Sequence, residues 1–382
     1  MDFESLFDIP IDDLHTPCYL TDARLLQKNT ALLKQIQQRT GCKILLAQKA
    51  FSMFSAYPLI RDDLAGTTAS GLFEAKLGRE HFGKEVHVFS PAYTQEDFTQ
   101  LLKLCDHIVF NSFGQWKKYR QQVQDANRNI SCGIRINPGY AEVETDLYNP
   151  CISGSRMGVP LEQMEDDFAG LDGIHFHTMC EQNSDVLERT LDHMLPQFDK
   201  WLKRCKWVNF GGGHHITRPD YDVERLVRCI ERVRDTYGVQ VYLEPGEAVA
   251  LNAGYLVATV LDVIHNGMDI AILDASAACH MPDVLEMPYR PHILYSGTAG
   301  EKAYTYRLAG NTCLAGDVIG DYSFDHQLQA GEKLVFCDMA IYSMVKNNTF
   351  NGVPLPDIAL YQDGQIQLVK RFGYIDFEGR LS

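Results

Sequence analysis

A lysine closing an apolar run is the first residue in this chain whose type and place could do chemistry. KILLAQK at 43–49 reads as a short buried parallel strand, four apolar residues with a lysine at each end. Lys49 then stands where an α/β barrel puts its reactive groups, at the C-terminal end of a strand. Burying a lysine is costly, so one that opens into a core needs a partner or a task. A partly desolvated lysine has a lowered pKa and becomes nucleophilic toward an aldehyde, which is Schiff-base chemistry. A solvated lysine at an ordinary strand end is the other reading of this stretch alone.

Further groups end later apolar runs: Arg135 in CGIRIN, His177 in GIHFH, the triple glycine Gly211, Gly212 and Gly213 after WVNF, and Glu244 in VYLEPG. Taken singly, Arg135 could be a structural ion-pair partner, His177 a hydrogen-bonded core histidine, and the glycines a turn. Together they form a set that pyridoxal phosphate would use in full. Glycine N–H groups and a helix N-terminus can hold a phosphate, and the histidine can stack on the pyridine ring. A glutamate facing the ring nitrogen keeps it protonated, so that the ring accepts electrons from a carbanion. Lys49 would supply the amine for the aldehyde.

The elements that must position these residues follow a repeat. Eight short apolar strands begin with KILLAQK and continue with LAGTTAS, VHVFS, HIVFN, CGIRIN, GIHFH, WVNFGGG and VYLEPG, with amphipathic helical stretches between them. Eight such units in roughly 200 residues predict an α/β fold of the TIM-like (β/α)8 type. A dinucleotide fold is disfavoured, because the glycine run follows the seventh strand and not the first. Ahead of the barrel, PCYLTD at 17–22 predicts a strand whose Asp22 caps a helix from Ala23 to about Arg39. Leu25, Leu26, Leu32, Leu33 and Ile36 share one face of that helix, and Gly41 ends it. Past Gly246 the texture changes to strands joined by Gly, Pro and Asp turns, which predicts a mainly β C-terminal domain. The domains are expected at 22–251 for the barrel and 252–382 for the β domain, joined by residues 1–21.

Composition narrows the partners. At 382 residues the chain exceeds the roughly 250 to 300 at which a single core stops growing. With 50 acidic against 35 basic residues the net charge is −15, which argues against nucleic acid and suits a cationic small substrate. The acidic start MDFESLFDIPIDDL has no basic segment ahead of an apolar run, so no signal peptide is expected. No apolar run approaches the ~20 residues of a membrane helix. The 11 cysteines form no CxxC pair, so the sequence signals neither a metal site nor a disulfide framework, and a reducing cytoplasm is expected.

These motifs resemble the fold-III pyridoxal-phosphate decarboxylases, which include the ornithine and diaminopimelate decarboxylases and share the alanine racemase fold. The resemblance rests on Lys49, FHxxC at 176–180, GGG at 211–213, EPG at 244–246, GNTC at 310–313 and DMAIYSMVKNNTFNG at 338–352. It runs from about 17 to 352 with the motifs in order. LAQKAF, HTMCEQ, GGGHH, EPGEAV and GNTCLAGD are most similar to the carboxynorspermidine (carboxyspermidine) decarboxylases. The resemblance implies that Lys49 carries the cofactor, His177 stacks on its ring and Glu244 pairs with the ring nitrogen. It implies that Gly211, Gly212, Gly213 and Tyr342 bind the phosphate, and that Arg135 is the family's active-site arginine. Cys313 would be the proton donor to the decarboxylated carbon across a head-to-tail homodimer with shared sites.

The departures bear on substrate. Ornithine decarboxylases carry an acid where this chain has Thr67, an arginine where it has Glu247, and an aspartate where it has Leu314. That shift of charge argues against ornithine, and the lost arginine argues against the distal carboxylate of diaminopimelate. A carboxylated triamine has internal and distal ammonium groups that need acidic partners, for which Glu247 and Asp283 are expected as a pair with Asp274 as a third. The alternatives are a decarboxylase or racemase of another basic amino acid (diaminopimelate, ornithine or lysine), or a protein that binds the cofactor without turnover.

Overall fold

The computed structural model describes Glu4 and residues 7–382, so Met1, Asp2, Phe3, Ser5 and Leu6 of the expected joining segment lie outside the described residues. Two compact units divide the chain: Gln27–Val249, and Met1–Leu26 together with Ala250–Ser382.

In the first unit the strands are Lys43–Ala47, Gly66–Ala69, Glu85–Phe89, His107–Phe110, Ser131–Asn137, Gly173–His175, Trp207–Asn209 and Gln240–Leu243. Each pairs in parallel with the next. Gln240–Leu243 pairs with Lys43–Ala47, so the sheet closes. Among the described residues this is a closed, eight-stranded parallel barrel. The strands are almost wholly buried, as a sheet covered on both faces requires. Helices Gln95–Leu104, Phe113–Asp125, Ser184–Leu202 and Val223–Tyr237 are each started by a side chain accepting an orphan N–H, from Thr94, Ser112, Asn183 and Asp222 respectively.

Trp207 fills the barrel from the seventh strand. Its indole occupies the room left by two glycines: a Cβ on Gly173 would lie 2.1 Å from Trp207 Cδ2, and one on Gly133 would lie 2.3 Å from its Cη2. The indole N–H donates to Ser131 Oγ at 2.9 Å. Beside it His87 and His107 stack with centroids 3.9 Å apart, and Glu85 is hydrogen-bonded to Lys43, His87 and Tyr242.

The second unit is mainly β. Its long strand Gly254–His265 pairs with Cys18–Asp22, Asp269–Leu273 and Lys333–Cys337, while Cys18–Asp22 also runs parallel to Asp357–Gln362. Alternation along the long strand makes two cores: Leu256, Ala258 and Val260 face one cluster, and Tyr255 and Val257 the other. The expected helix forms as Ala23–Thr40, with Arg24 N–H donating to the Asp22 carboxylate at 2.8 Å. Leu26, Leu33 and Ile36 are its buried stripe, and Gly41 at φ +72° ends it. Among the described residues no helix is long and apolar enough to cross a membrane.

Because Gly173 and Gly133 make room for Trp207, Gly173→Ala should overpack the barrel and lower its stability by about 1–3 kcal/mol in urea unfolding. A midpoint equal to that of the parent chain would contradict this packing.

Candidate active site

The barrel's strand ends assemble a polar row. Arg135 pairs in register with His175, and His175 with Asn209. Glu244 follows directly on Gln240–Leu243, and its N–H donates to Gly211 O at 2.7 Å. Its carboxylate is held from both sides: His175 Nε2 lies 3.0 Å from Oε2, and Asn209 Nδ2–H donates to Oε1 at 2.7 Å. Asn209, His175 and Glu244 are all buried. Burial alone would raise the glutamic acid pKa, but His175, then His87 and Asn209, outweigh it and hold the carboxyl at about 2. Burial also lowers the pKa of His175. The pair is joined by the one hydrogen bond between His175 Nε2 and Glu244 Oε2. Neither His175 nor Asn209 was singled out from the sequence, although HxH at 175–177 and the Asn closing WVN were there to read.

The glycine run serves this row first. Gly211 N–H donates to Asn209 Oδ1 at 2.9 Å and Gly212 N–H to His177 Nδ1 at 3.0 Å. Two of the run's amides are thus committed inside the protein, which leaves the Gly213 N–H. The following helix does not start at the run, but at Val223 under an Asp222 cap. The glycines are nonetheless obligatory. Gly213 has φ +82° and a Cβ there would stand 2.0 Å from Met179 O; on Gly212 it would stand 2.7 Å from Glu244 O. The bond from Gly212 fixes His177 as a neutral ring with its proton on Nε2, and burial followed by Lys49 and Arg135 pushes its pKa well below the ordinary value.

Lys49 is displaced from its expected place by two residues, since the strand ends at Ala47. A turn presents it: Ala50 N–H donates to Ala47 O at 3.1 Å, and Gln48 N–H to Thr68 O at 3.1 Å. The EPG loop packs on this turn, for a Cβ on Gly246 would lie 2.5 Å from Ala50 Cβ. The lysine side chain is open to water at the barrel mouth, yet protein surrounds most of it. The resulting desolvation lowers its pKa; Arg135 adds to the effect, and Glu244, Cys180 and Glu247 oppose it. Arg135 is buried, donates to His177 O at 3.2 Å and lies 4.6 Å over the Phe89 ring. Burial pushes its pKa down to about 10, and its Nε has no hydrogen-bond partner.

These groups fit a pyridine aldehyde bearing a phosphate. The barrel offers an amine with a lowered pKa, an ionised carboxylate, an imidazole locked in one tautomer, an uncommitted amide at Gly213 and an unpartnered guanidinium N–H.

The remaining expected residues belong to the second unit. Cys313 is exposed, and its N–H donates to Asn351 Oδ1 at 2.7 Å. Tyr342 has φ +55°, uncommon for a side chain of this bulk, just before the helix Ser343–Lys346. Asp274 has partners within the protein: its two oxygens accept from Thr259 N–H at 2.7 Å and Thr16 Oγ–H at 2.6 Å. Asp283 opens the helix Asp283–Glu286 and, with Glu286, is ion-paired to Lys346, so its carboxylate already holds an alkylammonium group.

Comparison with known proteins agrees with this geometry. The family described as pyridoxal-dependent decarboxylase, C-terminal sheet domain, matches residues 18–340. A carboxynorspermidine/carboxyspermidine decarboxylase of Campylobacter jejuni is 42% identical over 97% of this chain and 99% of its own. A carboxyaminopropylagmatine decarboxylase of Synechocystis is also 42% identical, over 97% of this chain and 96% of its own. The crystal structure of carboxynorspermidine decarboxylase complexed with norspermidine from Campylobacter jejuni has a TM-score of 0.89 and 41% identity, covering 96% of this chain and 100% of that one.

An amine labels only when unprotonated, so a lowered pKa moves its labelling curve to lower pH. In cofactor-free protein, competitive acetylation read by mass spectrometry should therefore half-label Lys49 at lower pH than surface lysines such as Lys206. A Lys49 curve at or above theirs would contradict the desolvation described.

Proposed function

The chain belongs to the pyridoxal-dependent decarboxylases, and from that membership we propose that it removes the carboxylate from a carboxylated linear polyamine of the carboxynorspermidine and carboxyspermidine kind. The observation that carries the substrate class is the near-full-length identity with relatives bearing that name. Pyridoxal phosphate, when bound, supplies the aldehyde that captures the substrate amine and the ring that takes up the electron pair left as CO2 departs.

The chain's own residues then have distinct tasks. Lys49 would hold the cofactor through its amine. Glu244, kept anionic by His175 and Asn209, holds a proton at the ring nitrogen. His177, oriented by Gly212 N–H, stacks on the ring face. Gly213 N–H would hold the phosphate, while Gly211 and Gly212 keep side chains out of the way and lock Asn209 and His177. Arg135, with an uncommitted Nε–H, faces the anionic part of the ligand. Cys313 donates its thiol proton to the α-carbon. In a homodimer with shared sites, Cys313 of one subunit would serve the site of the other. Eleven unpaired cysteines support a place in the reducing cytoplasm.

For the substrate ammonium groups, Glu247 is the acid that the barrel supplies. It opens the helix Glu247–Ala250 and acts electrostatically on Lys49. Asp283 would accept a substrate ammonium group only by giving up Lys346. A second reading comes from the Synechocystis relative, equally similar, whose name places an agmatine tail on the same carboxylated head.

Steady-state kinetics on carboxynorspermidine, carboxyspermidine, carboxyaminopropylagmatine, ornithine and diaminopimelate test the proposal. The triamines should exceed ornithine and diaminopimelate in kcat/KM by about 10²–10⁵, because a site that leaves buried polar groups unpaired rejects a poorly matched substrate. Glu247→Gln should cost about 2–5 kcal/mol of kcat/KM on the triamines. Equal efficiency on ornithine would defeat the proposal, and a strong preference for the agmatine derivative would install the second reading.

A further inference from the structure

In the second unit, three segments far apart in sequence are tied into one cluster around Cys313. Asp317 is buried and is the knot. Its Oδ2 accepts from Ser276 Oγ–H at 2.8 Å and Thr312 Oγ–H at 2.7 Å, and its Oδ1 from Ala278 N–H at 3.2 Å. Thr312 Oγ in turn accepts from Leu314 N–H at 3.3 Å. The residues on both sides of Cys313 are thus anchored through Asp317.

The third segment closes on the cluster from the opposite side. Asn348 N–H donates to Cys279 O at 2.9 Å, and its side-chain amide to Ala278 O at 2.8 Å. Three residues on, Asn351 turns into the left-handed region at φ +57° and presents Oδ1 to Cys313 N–H at 2.7 Å. Asparagine suits both demands, since it tolerates this backbone and carries a short acceptor. This is the hydrogen bond that Cys313 itself makes, while its thiol stays exposed.

We propose that Asn351 is a positioning residue that fixes the main chain of Cys313, and so the direction from which its thiol delivers a proton. The inference rests on the donor role of Cys313 given above. A displacement of about 1 Å in a reacting group costs on the order of 10² in rate, so losing this one tether should act on kcat and not on binding.

The experiment separates the hydrogen bond from the backbone. Asn351→Gly keeps the left-handed turn and removes the acceptor; Asn351→Asp keeps both; Asn351→Ala removes the acceptor by a second route. In the holoenzyme, Asn351→Gly and Asn351→Ala should lower kcat roughly 10- to 100-fold, with KM within about 3-fold and cofactor absorbance intact. Asn351→Asp should stay within about 3-fold of the parent. Cys313→Ala should lose about 10²–10⁴ in kcat. Adding Asn351→Gly to it should change kcat by less than about 2-fold, because both act through one group. A parental kcat for Asn351→Gly, or a full-sized further loss in the Cys313→Ala background, would overturn the positioning role alone. Parental activity of Cys313→Ala would remove the donor role, and the inference with it. Loss of fold in both acceptor-free variants would make Asn351 structural and also overturn it.

Discussion

A carboxylate inside a protein must be paid for by its neighbours, and the ionised Glu244 sets the terms for the rest of this barrel mouth. It is buried, and burial favours its protonated form. Electrostatic attraction from His175 and His87, with hydrogen bonds from His175 and Asn209, reverses that preference. Both donors stand in register on adjacent strands, so the closed parallel sheet is what brings them to one point. The anion then shapes its surroundings electrostatically: it supports the positive charge of Arg135 and Lys49, whose pKa values burial alone would lower further.

The same economy of space runs from the packed barrel interior to the site. Trp207 begins the strand that Asn209 ends, and it fits only because Gly133 and Gly173 have no side chain. Beyond Asn209 the chain turns through three glycines whose amides and carbonyls lock Asn209, His177, Glu244 and Gln182 in turn. The glycine run therefore also splices the seventh strand to its neighbours. Its rigidity gives His177 one tautomer and one direction.

How far this was legible depended on the range of the interactions. The eight barrel strands are short apolar runs, and periodicity alone placed every one. Lys49, Arg135, His177 and Glu244 were legible because a charged or aromatic polar residue at the end of an apolar run has few structural uses. His175 and Asn209 were not, since their importance lies in cross-strand register, which no local pattern displays. The strands Val318–Phe324 and Asp357–Gln362 are likewise hard to read locally. The first carries Gly320 and Asp321 in mid-run, and the second mixes polar ends with an apolar centre; long-range pairing makes them strands. The partners of Asp274 were illegible for a similar reason: Thr16 and Thr259 lie 258 and 15 residues away.

The account centres on the amine of Lys49, its pKa lowered, and an ionised Glu244 in the same barrel. Borohydride reduction of the purified holoenzyme, followed by peptide mapping, tests it most directly, because reduction joins the cofactor permanently to whichever amine holds it. The account predicts that the pyridoxyl mass falls on the peptide containing Lys49 and on no other, and that it is lost in Lys49→Ala. A stoichiometric adduct on any other lysine would contradict it.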